Sequence, residues 1–177
     1  MGAAGGRGRL WAAVVDWLAD AGVGEPAAVD VAELLDAASG PPVIAVRGPA
    51  GIGADAVAAA LRLHPSARGT WRILADEGPA SRVDADAVVT LSHDPGAGAR
   101  PGEVVVHPRG RAGRGISLDD AAAPPDPSLS RVAAAVSELV SPETLAEVRS
   151  GRLERGVAAI AAAHPVVRDE LEDLLWP

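Results

Sequence analysis

The chain contains no cysteine, tyrosine or phenylalanine, and no lysine, asparagine or glutamine can be found along it. The lack of cysteine excludes disulfides, thiolate metal sites and a cysteine nucleophile, and leaves the redox compartment open. Without lysine the sequence cannot carry the cation of a G-x-x-x-x-G-K-[ST] phosphate loop, and without asparagine or lysine it cannot carry an N-K-x-D guanine-reading motif. With only 2% aromatic residues there is little on which bases could stack, so no nucleic-acid partner is expected. No apolar run approaches the roughly 20 residues of a membrane span. Arg7 and Arg9 precede the apolar stretch Leu10 to Val15, but Asp16 and Asp20 interrupt it before it forms a signal core, so the default location is cytoplasmic. Most of the missing residue types have AT-rich codons, which points to a GC-rich coding sequence.

What is present is 177 residues, enough for a domain with its own core, with 24 acidic against 16 basic side chains and a formal net charge of −8. All the positive charge is arginine. The acidic balance argues against nonspecific attraction to nucleic acid or an anionic membrane.

Residues 1 to 9 are Gly, Ala and Arg and read as a disordered lead-in. Leu10, Val14, Trp17, Leu18 and Ala21 then fall on one helical face, and Gly22 and Gly24 end that helix. A second helix, from Pro26 or Asp30 to Ala38, stops at Ser39-Gly40-Pro41-Pro42, so residues 1–41 form a tail and a helical hairpin. An α/β core follows over 42–116, with strands predicted at 43–47, 70–75, 85–92 and 103–107 and a helix at 54–63. The connections between the last three strands span only about 10 residues, short for a parallel crossover. Either a helix has been trimmed to a turn or some pairs are antiparallel. Pro108 to Pro127 reads as low-complexity loop, its last part, 117–127, a linker. The region 128–177 reads as helices from Ser128 to Val140, Pro142 to Ala163 and Pro165 to Trp176, with Ser141 as an N-cap and with Gly151 and Gly156 as points where the middle one splits.

The stretch Pro42 to Leu61 sets a short apolar strand, a Gly/Pro-rich turn and an Ala-rich helix in the order of a phosphate loop. Gly48 and Gly53 match the glycines of the motif and Gly51 lies between them, but Ala54 and Asp55 stand where lysine and a hydroxyl residue belong. Such a loop needs backbone N–H groups at a helix N-terminus, a cation for the phosphates and a hydroxyl for magnesium. Only the first of these remains. Asp55 also reads as a first-turn residue that caps free N–H groups itself.

Further along, Ile73-Leu74-Ala75-Asp76-Glu77-Gly78-Pro79 resembles the strand and D-x-P-G turn of dynamin-like and Era-like P-loop GTPases, with Gly and Pro exchanged. Asp84 to Leu91 is similar to the A-D-A-V-V strand of that family, and Val104 to Gly110 lies where its members carry N-K-x-D. The resemblance covers residues 42 to 113. It implies a reduced, three-layer P-loop NTPase-like sheet of about four strands with helical additions at both ends. It also implies a degenerate nucleotide loop at Gly48, Gly51, Gly53, Ala54 and Asp55 and a degenerate D-x-P-G-like turn at Asp76, Glu77 and Gly78. With phosphate compensation, magnesium ligation and base recognition all missing, the implied protein is a pseudo-GTPase.

Asp76 and Glu77 also have the outline of a Walker-B strand end, against a plain solvated strand end. Ser92-His93-Asp94 has triad residue types, but neighbours on an extended chain point apart. His64, His93, His107 and His164 show no metal-ligand spacing and read as loop or surface histidines. Arg109, Arg111 and Arg114 are the one basic concentration, either a solvated loop or a contact for phosphate or for an acidic partner, including an arginine offered to a partner GTPase. Trp176 reads as a docking anchor or as packing in the helical region.

Three readings stand. The first is a non-catalytic pseudo-GTPase acting as a regulatory or structural partner, with a related active GTPase as the partner and no cofactor. The second is a nucleotide-binding P-loop enzyme with a non-standard loop in which arginines replace lysine. The third is a plain α/β protein-interaction domain.

Overall fold

The computed structural model describes residues 3–22, 24–77, 84–108, 115–118 and 127–176. The chain divides into two compact units, one of residues 1–40 with 146–177 and one of residues 41–145.

The second unit holds a five-stranded sheet: β1 (Val43–Gly48), β2 (Arg72–Glu77), β3 (Ala87–Leu91), β4 (Glu103–Pro108) and β5 (Ile116–Leu118). Its order is β2-β1-β3-β4-β5 and every pair is parallel. The short connections therefore do not signal antiparallel pairing. The sheet has five strands rather than about four, because Ile116-Ser117-Leu118 joins β4 from within a segment expected to be loop. Three residues are too few to show an alternation in sequence.

α3 (Ala54–Leu63) and α4 (Pro127–Leu139) pack on one face of this sheet. α3 buries Ala54, Val57, Ala58 and Leu61, a stripe with helical spacing, and α4 buries Val132, Ala133 and Val136. These meet Ile44, Val46, Ile73, Val89, Leu91, Val104, Val106 and Leu118 in one core. Each fully buried aliphatic side chain contributes about 1.5–3 kcal/mol to that core. Among the described residues α3 and α4 are the helices that pack on this sheet, both on one face, while Ala45, Val105 and His107 are buried on the other. α4 belongs to the sheet's unit rather than to a C-terminal helical region.

Two side chains fix the frame. Asp86, 3% exposed, accepts a hydrogen bond from the Val43 N–H at 2.8 Å while its own N–H donates to the Val43 carbonyl at 2.7 Å, locking the start of β1 to that of β3. Arg62 of α3 donates from Nε and Nη2 to the Ile73 carbonyl at 3.1 and 2.9 Å, tying α3 to the edge strand. Thr70, expected to open β2, lies in a turn instead, where its hydroxyl donates to the Ser66 carbonyl at 2.8 Å.

The first unit contains α1 (Ala3–Asp20), α2 (Pro26–Ser39), the greater part of α5 (Pro142–Ala163) and α6 (Arg168–Leu175). Its core joins Leu10, Val14, Val31 and Leu35 to Leu153, Val157, Ala161, Val167 and Leu171. α1 begins at Ala3, so residues expected to be a disordered lead-in continue the helix; once a helix is nucleated, each added residue gains a backbone hydrogen bond. α5 is unbroken at Gly151 and Gly156. Gly156 has a packing reason, because a Cβ there would sit 2.5 Å from Leu34 Cδ2 of α2. Arg149 donates to the Ala38 and Gly40 carbonyls at 2.6 and 2.7 Å, placing a cation on the C-terminal end of α2. Among the described residues no helix is long and apolar enough to cross a membrane.

Candidate functional site

The stretch from β1 into α3 is a tight joint. Pro49 to Ile52 form a turn in which the Ile52 N–H donates to the Pro49 carbonyl at 3.1 Å, with Gly51 at φ 76° in the position that requires positive φ in a type II turn. Gly53 is the N-cap of α3 at φ 97°, and the first helical bond runs from the Val57 N–H to the Gly53 carbonyl at 3.1 Å. Gly48 has no room for a side chain: a Cβ would lie 2.6 Å from Ile52 Cγ2 and 3.0 Å from Leu91 Cβ. The three glycines thus have three separate structural reasons, and none of them needs a phosphate.

Ala54 is 0% exposed and belongs to the sheet core, so the position matching the phosphate-loop lysine points inward under the helix. Asp55 is exposed, and the N-cap of α3 makes no side-chain hydrogen bond. The Asp55 carboxylate makes no hydrogen bond among the described residues, so the expected self-capping by Asp55 is not made.

No family model, curated protein or solved structure matches this chain.

The other expected residues scatter. Asp76 lies near the end of β2, where its Oδ2 accepts from Arg47 Nε of β1 at 3.2 Å; β1 and β2 place these two residues side by side. Glu77 closes β2, and Gly78 lies outside the described residues. Arg109, Arg111 and Arg114 also lie outside the described residues. Ser92, His93 and Asp94 form a turn in which the Asp94 N–H donates to Ser92 Oγ at 3.1 Å and the Gly96 N–H donates to Asp94 Oδ1 at 2.8 Å. His107, expected at the surface, is 1% exposed, its Nδ1 3.0 Å from the Ser92 carbonyl oxygen. His107 lies in β4, within the strand expected over 103–107, and strand membership alone did not reveal its burial. His164 pairs with Asp30 Oδ2 at 2.8 Å, and Trp176 is 84% exposed.

Beside the joint is a groove of about 710 Å³. Val88 and Thr90 form its floor and Leu91 borders it at the end of β3, with Arg47 to Ala50 on one side and Arg100 to Glu103 on the other. Val88 and Thr90 alternate with the core-facing Val89 and Leu91, so the groove lies on the face of the sheet opposite α3 and α4. It opens where the chain leaves β1 toward β2 on one side and β3 continues toward β4 on the other, a topological switch point at which α/β sheets bind ligands. Glu103 accepts from the Thr90 hydroxyl with Oε1, and from the Arg100 N–H with Oε2 at 2.9 Å. Sequence reading missed Arg47, Thr90, Arg100 and Glu103, because only the register of β1, β3 and β4 brings them together. The available signal was polar residues alternating with apolar ones in strands that a parallel sheet ordinarily buries on both faces.

Proposed function

We propose that this chain is a non-catalytic domain of P-loop GTPase-like descent, a pseudo-GTPase, that acts as a regulatory or structural partner of another protein. The observation that carries this reading is the direction of Ala54. The motif position for the lysine is buried in the core, and the turn before it is closed by its own Ile52 to Pro49 hydrogen bond. A phosphate loop works by directing a cation and several N–H groups at one anion. Here the cation's position is turned away from solvent. The placement of the joint at the end of the interior strand β1, with β2 and β3 on either side, supports descent from a nucleotide-binding sheet.

The same strand order belongs to flavodoxin-like doubly wound sheets, and this favours a second reading in which the joint is an ordinary strand-to-helix turn of an α/β interaction domain. Both readings expect no nucleotide. Calorimetric titration of GTP, GDP, ATP and ADP with magnesium tests this, and saturable binding of any of them at millimolar concentration or below overturns the first reading in favour of a nucleotide-binding enzyme. Affinity capture from the native source separates the other two: a related active GTPase among the retained proteins supports the pseudo-GTPase, and its absence counts against the pairing.

A further inference from the structure

The groove on the open face carries a specific imbalance of hydrogen-bonding groups. Glu103 already accepts on both oxygens, from the Thr90 hydroxyl and from the Arg100 N–H. Arg47 is held to Asp76. The Arg100 guanidinium makes no hydrogen bond or ion pair among the described residues, although the backbone of the same residue is bonded. The wall therefore offers the free donors of the Arg100 guanidinium, five N–H groups in a planar fork, beside a carboxylate already bonded on each oxygen. Below it the floor is apolar at Val88, and Pro49, Ala50 and Pro101 add further apolar surface. The volume of about 710 Å³ is that of a small-molecule site.

We propose that this groove binds a small organic anion with an apolar body, its carboxylate, sulfonate or phosphate head held by Arg100. A cationic head would be repelled by the unpaired Arg100 guanidinium and would meet a Glu103 carboxylate already bonded once on each oxygen. An anionic head would pair with a weakly hydrated guanidinium whose geometry accepts two oxygens at once. This inference rests on the reading that the 49–52 turn is closed, since the ligand then enters from the sheet face and not through the N-terminus of α3.

Two probes test it: anilinonaphthalene sulfonate, an apolar body with one anionic head, followed by fluorescence, and octanoate as its competitor. The dye is expected to saturate a single site and to be displaced by octanoate, but not by octyltrimethylammonium, which carries the same chain with the opposite charge. Arg100→Ala and Arg100→Glu are expected to weaken dye binding about tenfold or more, while the conservative Arg100→Lys retains part of it and Arg68→Ala, on an exposed loop elsewhere, leaves it unchanged. Because Arg100 is exposed, these variants are expected to fold, and circular dichroism checks that they do. Equal dye binding in the Arg100 variants, or equal displacement by the cation, overturns the proposal. So does a lack of saturable binding, which leaves the closed-turn reading standing. Magnesium-dependent GTP binding that survives Arg100→Glu overturns the closed-turn reading and, with it, the proposed route into the groove.

Discussion

Restoring a lysine to the phosphate-loop position, Ala54→Lys, is the most direct test of the turned-in joint. If the loop retained the geometry of a nucleotide site, the substitution would add a cation facing the ligand and affinity would rise. The structure gives the opposite expectation, because Ala54 is 0% exposed and packs in the core with Val46, Val57, Ala58 and Leu61. A lysine with an ordinary pKa of about 10.4 that must be neutral in the core at pH 7 costs about 4.6 kcal/mol, at about 1.36 kcal/mol per pH unit. Its extra methylenes overpack a filled site for about 1–3 kcal/mol more. The total is comparable with the roughly 5–15 kcal/mol by which whole domains are stable. Urea unfolding followed by circular dichroism measures the loss, and Ala54→Met, of similar length without the charge, isolates the packing part. Asp55→Ser, at an exposed position, is expected to change stability by less than about 0.5 kcal/mol. The reasoning is refuted if Ala54→Lys is no less stable than Ala54→Met, which would mean the ammonium reaches water along the helix. It is refuted equally if Ala54→Lys with Asp55→Ser binds GTP and magnesium.

Gly48→Ala brings a methyl 2.6 Å from Ile52 Cγ2 and 3.2 Å from the Leu91 carbonyl oxygen, and is expected to destabilise by about 1–3 kcal/mol. Combined with Ile52→Ala it should cost at least about 0.5 kcal/mol less than the two single changes added together, as a double-mutant cycle of unfolding free energies would show. Asp86→Ala leaves the Val43 N–H without its acceptor at the start of β1, with an expected loss of about 1–3 kcal/mol and faster amide exchange at Val43. The two helix glycines of α5 should respond with opposite signs in thermal unfolding. Gly151→Ala meets only the movable end of Arg155 and should stabilise by about 0.5–1 kcal/mol. Gly156→Ala drives a methyl into Leu34 and should destabilise despite the same gain in propensity.

Much of the backbone was legible because turn residues mark its joints. Gly and Pro clusters bound β1, β3 and β4, and the stripe of Ala54, Val57, Ala58 and Leu61 has the period of one helical face. Strand direction was not legible, since a connection of given length is compatible with a trimmed crossover as well as with a reversal. β5 was hidden by its three residues, and α1 was read too short because Gly5, Gly6 and Gly8 are weak helix formers whose helical state depends on the amphipathic segment after them. The two glycines of α5 show the converse error: propensity predicted a break, and packing against Leu34 kept Gly156 in an intact helix. At the candidate site the glycine spacing was visible, but the direction of residue 54 was not, because it depends on how α3 rolls onto the sheet. Arg47, Thr90 and Arg100 come from distant parts of the chain and meet only through the ladder.

The one-sided sheet and the groove have a common physical cause. A parallel sheet ordinarily carries helices on both faces and buries apolar residues on both. Here the face away from α3 and α4 carries Asp76, Arg47 and Thr90 in one row across β2, β1 and β3, with Glu103 one step back on β4. On β4 the row ends at the buried Val105, so the polar stretch is confined to β2, β1 and β3. Its polar residues need partners, and they have them, Arg47 with Asp76 and Thr90 with Glu103. This arrangement leaves a strip of sheet at the switch point half solvated. Replacing the row separates structure from function. Arg47→Met with Asp76→Leu removes both members of a partly exposed pair, whose net contribution is about 0–1 kcal/mol. The double variant is therefore expected to unfold at nearly the same urea concentration as the parent while presenting an apolar strip across β2 and β1. Concentration-dependent self-association, measured by sedimentation, is the expected consequence of such a patch. A variant that stayed monomeric and bound the dye as the parent does would show that the polar row does not keep this face open, and the link between that row and the groove would fail.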